Sequence, residues 1–152
     1  MPLLKSNLNL SILKITAIGN PIHEGFPKDL EEAAERWATA VNDYASQIIP
    51  ISTTSDLAKQ SLKSMLLTFP TVGIAAFHSG LVSYASQLSL GMLPAFTAVI
   101  PPTPPSLESA FLIGTNGGSA EDVANLLSTL IDAWFKTGTA INTSSGVTIN
   151  WN

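Results

Sequence analysis

Cysteine is missing from this sequence and charge is scarce. Without a thiol there is no disulfide, no thiolate nucleophile and no sulfur-ligated zinc to consider, and the redox compartment is left open. Asp, Glu, Lys and Arg make up 12% of the chain, against about 25% in an ordinary soluble domain. Seven basic residues and a net charge of −4 argue against a groove that tracks a nucleic-acid backbone. Two histidines cannot build a three-histidine zinc site without help from another subunit. Hydrophobic residues stand at an ordinary 45%, so Ser, Thr, Asn, Gly and Pro fill the place of the missing charge. A surface of neutral polar groups repels its neighbours weakly. It suits a subunit mostly buried in an assembly, or a secreted or capsid-like protein, better than a crowded cytosolic enzyme.

What is present is a helical pattern. At 152 residues the expectation is one domain, long enough to bury roughly two thirds of its unfolded surface. Leu4, Leu8, Ile12 and Ile15 recur at helical spacing over residues 3–18. Lys14 and the polar residues Asn7, Asn9 and Ser11 interrupt that run, which reads as a short helix or docking arm, not a signal peptide. A Gly- and Pro-rich loop (19–27) follows. The clearest helix starts at Pro27, with Asp29, Glu31 and Glu32 in its first turn complementing the dipole. Leu30, Ala33, Ala34, Trp37, Val41, Tyr44 and Ile48 form its apolar stripe, and it ends before Pro50.

Thr53 with Asp56 predicts a capping box for the next helix, whose buried side is Leu57, Leu62, Met65, Leu66 and Phe69, with Pro70 as its stop. Residues 71–93 read as a third helix rich in small residues. The prolines 94, 101, 102, 104 and 105 impose an extended, partly polyproline path. "GTNGG" (114–118) is a turn. Ser119 with Asp122 caps a last helix whose core face is Val123, Leu126, Leu127, Leu130, Ile131, Trp134 and Phe135, with Gly138 as its natural stop. "YASQI" at 44–48 is echoed by "YASQL" at 84–88, with Trp37 and Val41 aligned on Phe77 and Leu81. Two helices meeting a similar packing surface explain the echo as well as a duplicated helix pair does.

Catalytic chemistry finds no foothold in these residues. His23 sits in a loop beside Glu24, a solvated pair. His78 neighbours Ser79, but no nucleophile elbow surrounds them, and adjacent residues on a helix do not face each other. A core or interface histidine is the better reading. The acids at the starts of two helices serve the dipoles, and nothing draws Glu108 and Asp132 into a glycosidase-like pair. "GTNGGSAED" lacks the lysine of a phosphate loop, and Glu121 and Asp122 repel an anion there. No cofactor, metal or catalytic residue is assigned.

No charged residue occurs between Lys63 and Glu108. The alternative reading is therefore a membrane-active lysis or pore-forming helical protein using residues 71–100. Thr71, His78, Gln87 and several serines within that stretch argue for a central helix surrounded by its neighbours instead. The tail "GVTINWN" alternates, with Val147, Ile149 and Trp151 on one side, as a half-buried strand does. After the flexible "NTSSG" it is the best contact arm in the chain, able to add a strand to a neighbour's sheet while Trp151 fills a pocket.

Three stretches, "EGFPKDLEEAAERWATAVNDYAS", "LGMLPAFTAVIPPTPPS" and "WFKTGTAINTSSGVTINWN", resemble segments of small virion proteins of tailed bacteriophages. The resemblance covers most of the chain beyond residue 20 and carries no catalytic residues. It implies a structural subunit present in several copies. The expected architecture is all-α: a single helical bundle of about four main helices with extended Pro-rich and C-terminal arms. Its parts are a short helix and loop (1–26), the bundle (27–140) and a strand-like arm (141–152). The expected role is that of a non-enzymatic structural subunit of the tail, baseplate or connector region, located in the virion and assembled in the host cytoplasm. Its partners are other virion proteins and copies of itself, with neither nucleic acid nor membrane among them. The candidate interface residues are Val147, Ile149, Trp151, Pro101, Pro102, Pro104 and Pro105.

Overall fold

The computed structural model describes residues 3–101 and 103–152. The described residues form seven helices and a small three-stranded sheet, with 56% of them helical. The helices are α1 (Lys5–Thr16), α2 (Leu30–Ala45), α3 (Ser55–Leu66), α4 (Phe69–Val72), α5 (Ala75–Leu90), α6 (Glu108–Thr115) and α7 (Ala120–Phe135). The strands are β1 (Phe96–Val99), β2 (Thr139–Asn142) and β3 (Thr148–Asn150). The chain is thus mostly helical, and the expectation of an all-α bundle is corrected by the sheet.

Local chemistry sets the helix starts. Asp29 caps α2 by accepting the Glu32 N–H at 2.8 Å, and the Glu32 carboxylate reaches back to the Lys28 N–H at 2.9 Å. At α7 Ser119 and Asp122 close a full capping box, Ser119 Oγ accepting the Asp122 N–H and the Asp122 carboxylate accepting that of the N-cap Ser119. The box expected at Thr53 does not form. α3 starts after Thr54 with no side-chain cap, because the hydroxyls of residues 52–54 turn to the other end of α5. Ser52 Oγ donates to the Leu88 carbonyl at 2.8 Å, Thr53 Oγ1 to that of Gly91 at 3.3 Å, and Thr54 Oγ1 to that of Gln87. Three carbonyls at the α5 terminus are thereby satisfied from outside the helix. Gly91 makes the approach possible: a Cβ there would stand 2.6 Å from the Thr54 amide nitrogen.

The stretch read as one helix over 71–93 is divided. Pro70 does not stop α3; it sits in the first turn of α4, where a missing N–H costs nothing. Gly73, at φ 61°, ends α4 before α5 begins. α5 then packs on α3 at Gly80, where a Cβ would come within 2.6 Å of Leu62 Cδ1. α3 buries Ala58, Leu62 and Leu66. Leu57 lies outside that i+4 row and is 61% exposed, contrary to its expected burial. Glu31 and Glu35, read as dipole compensation, also join α2 to α3: Lys59 reaches Glu35 at 2.5 Å, and Lys63 reaches Glu31 and Glu35 at 3.2 Å each.

One apolar cluster runs from Leu3, Leu8 and Ile12 to Ala140 and Trp151. α1 lies on α7 and α2, so the N-terminal helix and the last strand share the core of the bundle. At its centre Phe135 meets the rings of Tyr44 and Tyr84, at centroid distances of 5.9 and 6.0 Å. The "YASQ" echo therefore places two tyrosines against one phenylalanine, in edge-to-face contact that aromatic quadrupoles favour. Both tyrosines are buried with their hydroxyls satisfied: Tyr44 donates to Asp132 and Tyr84 to Asn42, each at 2.8 Å. Burial, and then the Asp132 carboxylate, drive the Tyr44 phenol well above its ordinary range; burial does the same for Tyr84.

Candidate assembly surface

The C-terminal sheet is where the candidate interface residues gather. Its order is β1-β2-β3, antiparallel throughout, with Thr97 opposite Ile141 and Ala140 opposite Ile149. The proline-bounded segment, expected to run as an extended, partly polyproline path, supplies β1, because Phe96–Val99 is a proline-free run between Pro94 and Pro101. "NTSSG" is a built turn, not a flexible hinge. The Asn142 side chain accepts from the Ser144 and Ser145 amides at 3.0 and 2.9 Å, and Gly146 takes φ 70° while its N–H returns to the Asn142 carbonyl at 2.8 Å. An asparagine side chain that imitates the backbone and a glycine at positive φ are what such a turn requires.

The three tail residues expected on one face have different fates. Trp151 is fully buried in its own subunit. Its indole stacks on Phe135 at 6.4 Å and 29°, and Nε1 donates to the Thr139 carbonyl at 3.1 Å. Its backbone N–H bonds to Gly138 at 2.8 Å, and Asn152 exchanges two hydrogen bonds with Ile49 at 2.7 and 3.2 Å. The pocket that Trp151 fills is that of its own chain, so the tail folds back on the bundle. Ile149 is half-buried against the same core. Val147, next to the turn and beyond the reach of the core, is 57% exposed.

The prolines divide likewise. Pro101 is buried, Pro104 and Pro105 are half-buried, and Pro102 lies outside the described residues. Pro104 lines a shallow surface pocket with His78, Ser79, Val82 and Ser83. His78 there accepts the Leu107 N–H at 3.5 Å, with the Glu108 carboxylate 4.0 Å away. The Ser106 hydroxyl holds Glu108 at 2.5 Å and, as the largest influence, keeps its carboxyl below the ordinary value. His78 therefore ties the proline segment to α5. Asp132, the other acid considered for chemistry, is engaged by Tyr44 and by Lys136 at 2.9 Å.

One feature escaped the sequence reading. Trp37, Phe69, Phe77 and Phe111, with Leu30 and Leu66, line an apolar groove of about 220 Å³. Phe77 is its hub, in ring contact with Trp37 at 5.2 Å, Phe111 at 5.6 Å and Phe69 at 6.0 Å. The pairing of Trp37 with Phe77 in the echo was the available signal; Phe111 gave none, since α6 itself was not foreseen. Among the described residues no group of three His, Asp or Glu is placed to hold a metal ion. Among them, too, no helix is long and apolar enough to cross a membrane. α5, the centre of the charge-free stretch, has 16 residues, where about 20 are needed. No family model matches the chain, and neither the curated proteins nor the solved structures contain a match to it.

Proposed function

We propose that this chain is a non-enzymatic structural subunit of a bacteriophage particle, in its tail, baseplate or connector region, acting through protein–protein contacts. The observation that carries the reading is the surface. Ile51 is 76% exposed, Phe26 73% and Ile18 67%; Ile18 and Phe26 lie on the connection between α1 and α2, and Ile51 lies between α2 and α3, on a subunit with few charges. Scattered apolar groups are normal on any surface, but here they meet little of the charge that keeps monomers apart. The three segments resembling small virion proteins of tailed phages point the same way. The packed helices α2, α3, α5 and α7 form the body in this reading. Val147, Pro104 and Pro105 are the exposed or half-exposed contact residues, and Trp151 holds the tail in the shape a partner meets.

The test is mass spectrometry on gradient-purified virions of the phage that encodes the chain, with quantification against a known tail protein. A fixed copy number per particle is expected. Its recovery only from the unassembled fraction of the lysate overturns the reading.

A further inference from the structure

We propose that the free edge of β1 pairs with β1 of a second copy of this chain, antiparallel about a twofold axis at Val99, joining two three-stranded sheets into one. The hydrogen-bond parity of the sheet carries this. Thr143 donates to the Ala95 carbonyl at 3.0 Å, and Thr97 and Val99 lie opposite Ile141 and Thr139. In an antiparallel ladder alternate residues turn their N–H and C=O to the same side. Residues 95, 97 and 99 thus face β2, while Ala98 and Ile100 direct theirs outward, where no described residue takes them up.

The length of the open edge is defined at both ends. The outward N–H of Phe96 is already bonded to the Met92 carbonyl at 3.0 Å, so the preceding turn closes one end. Pro101 has no N–H to offer at the other. With Val99 opposite Val99 of the second copy, Ala98 exchanges both of its hydrogen bonds with Ile100 of that copy, and Ile100 does so with Ala98. Pro101 then falls opposite Thr97, whose amide already serves β2, so its missing donor is not needed. Residues directly opposite share a face. The two Val99 side chains, each 54% exposed, therefore meet on the outer face of the joined sheet. One strand further in lies Ile141, exposed on that same face.

A second copy fits this edge because nothing on it repels itself. Across a twofold axis every charge faces its own duplicate, but residues 64–107 and 137–152 contain no Asp, Glu, Lys or Arg. The usual guards of an exposed edge, an inward charge, a lysine or a proline within the strand, are absent from Phe96–Val99.

Sedimentation of the full chain at roughly 100 µM, where even a weak homodimer is populated, should give the mass of two copies. Val99→Lys, which sets two ammonium groups together at the axis, should weaken the dimer at least tenfold, while its circular dichroism, and its thermal transition at a dilution where both proteins are monomeric, stay those of the wild type. The native sequence has no cysteine, so Val99→Cys reports the axis directly. Its Cα atoms would lie about 4.5 Å apart, within disulfide reach, and mild oxidation should give one cross-linked dimer far faster than Val147→Cys does. A wild-type monomer at that concentration overturns the proposal. So does a dimer untouched by Val99→Lys, or cross-linking of Val99→Cys no faster than that of Val147→Cys. A monomer that instead captures a strand of another protein assigns the edge to a different partner and overturns it equally.

Discussion

The indole of Trp151 lies against Gly138 so closely that a Cβ at that position would stand 2.5 Å from Cδ2 and 2.8 Å from Cε3. Gly138 is not the stop expected for α7, which ends at Phe135 with Lys136 as its cap; its bare Cα is instead the floor of the pocket. Gly138→Ala should lift the ring and cost about 1–3 kcal/mol, as overpacking of a rigid contact does. Trp151→Ala should cost about 3–5 kcal/mol. Urea unfolding followed by far-ultraviolet circular dichroism measures both. A Gly138→Ala variant as stable as the wild type would mean that the indole has another seat.

Truncation after Asn150 follows from the same contact. It removes the Trp151 ring and the exchange between Asn152 and Ile49, so the thermal transition of the bundle should fall and near-ultraviolet dichroism around Phe135 should weaken. An unchanged transition would return the tail to the role of a detachable arm.

The hydroxyls on the end of α5 make a second prediction. Ser52 is buried and donates to the Leu88 carbonyl, so Ser52→Ala leaves that carbonyl with the Gly91 N–H alone, at 3.1 Å, and removes an acceptor from the Thr54 N–H, at a cost of about 0.5–1.5 kcal/mol. Amide hydrogen exchange should accelerate in the last turn of α5 before it does in α2. Uniform exchange across both helices would argue against a local cap.

The two tyrosines of the echo should respond unequally. Tyr44→Phe loses a bond to a carboxylate, worth about 1.5–3 kcal/mol, and Tyr84→Phe loses one to a neutral amide, worth about 0.5–1.5 kcal/mol. Equal losses in chemical denaturation would show that the Asp132 partnership adds nothing to packing.

Acid should act through Glu35. The hydrogen bond from Lys59, and then that from Lys63, hold its carboxyl below the ordinary value of 4.5. Its folded value lies below its unfolded one, so its contribution is complete above about pH 4.5 and is lost as pH falls through the folded value. The thermal midpoint of Glu35→Gln should lie below that of the wild type at neutral pH, and the two should converge in acid. A constant gap between them down to pH 2 would rule out the linkage.

Periodicity made most of the helical body legible. The stripe from Ala34 through Val41, Tyr44 and Ile48, and the one from Val123 to Phe135, are buried or half-buried as their spacing requires, and the Ser119–Asp122 box forms. What stayed hidden depends on partners distant in sequence. Thr53 carried the local signature of a helix start, yet its hydroxyl serves Gly91, 38 positions away. β1 was invisible because four residues between prolines become a strand only once β2 lies beside them. α6 begins at Glu108, just past the proline run, in a stretch whose composition read as extended. At the tail, alternation marked a strand correctly but could not say whose core Trp151 would enter; Gly138, thirteen positions earlier, made that decision.

The position of α1 bears on how the chain is made. Leu8 and Ile12 are fully buried, and α1 lies along α7, where Lys5 and Asn9 bond to Thr129 and Ser128 across 124 and 119 positions. During synthesis α1 emerges long before this partner exists. Its apolar side must rest on α2 or stay wet until α7 leaves the ribosome, and only then can the core close. Contacts of such long sequence separation slow folding and leave nascent hydrophobic surface open to the wrong neighbour. Crowded translation, not the finished fold, is where this sequence is most vulnerable.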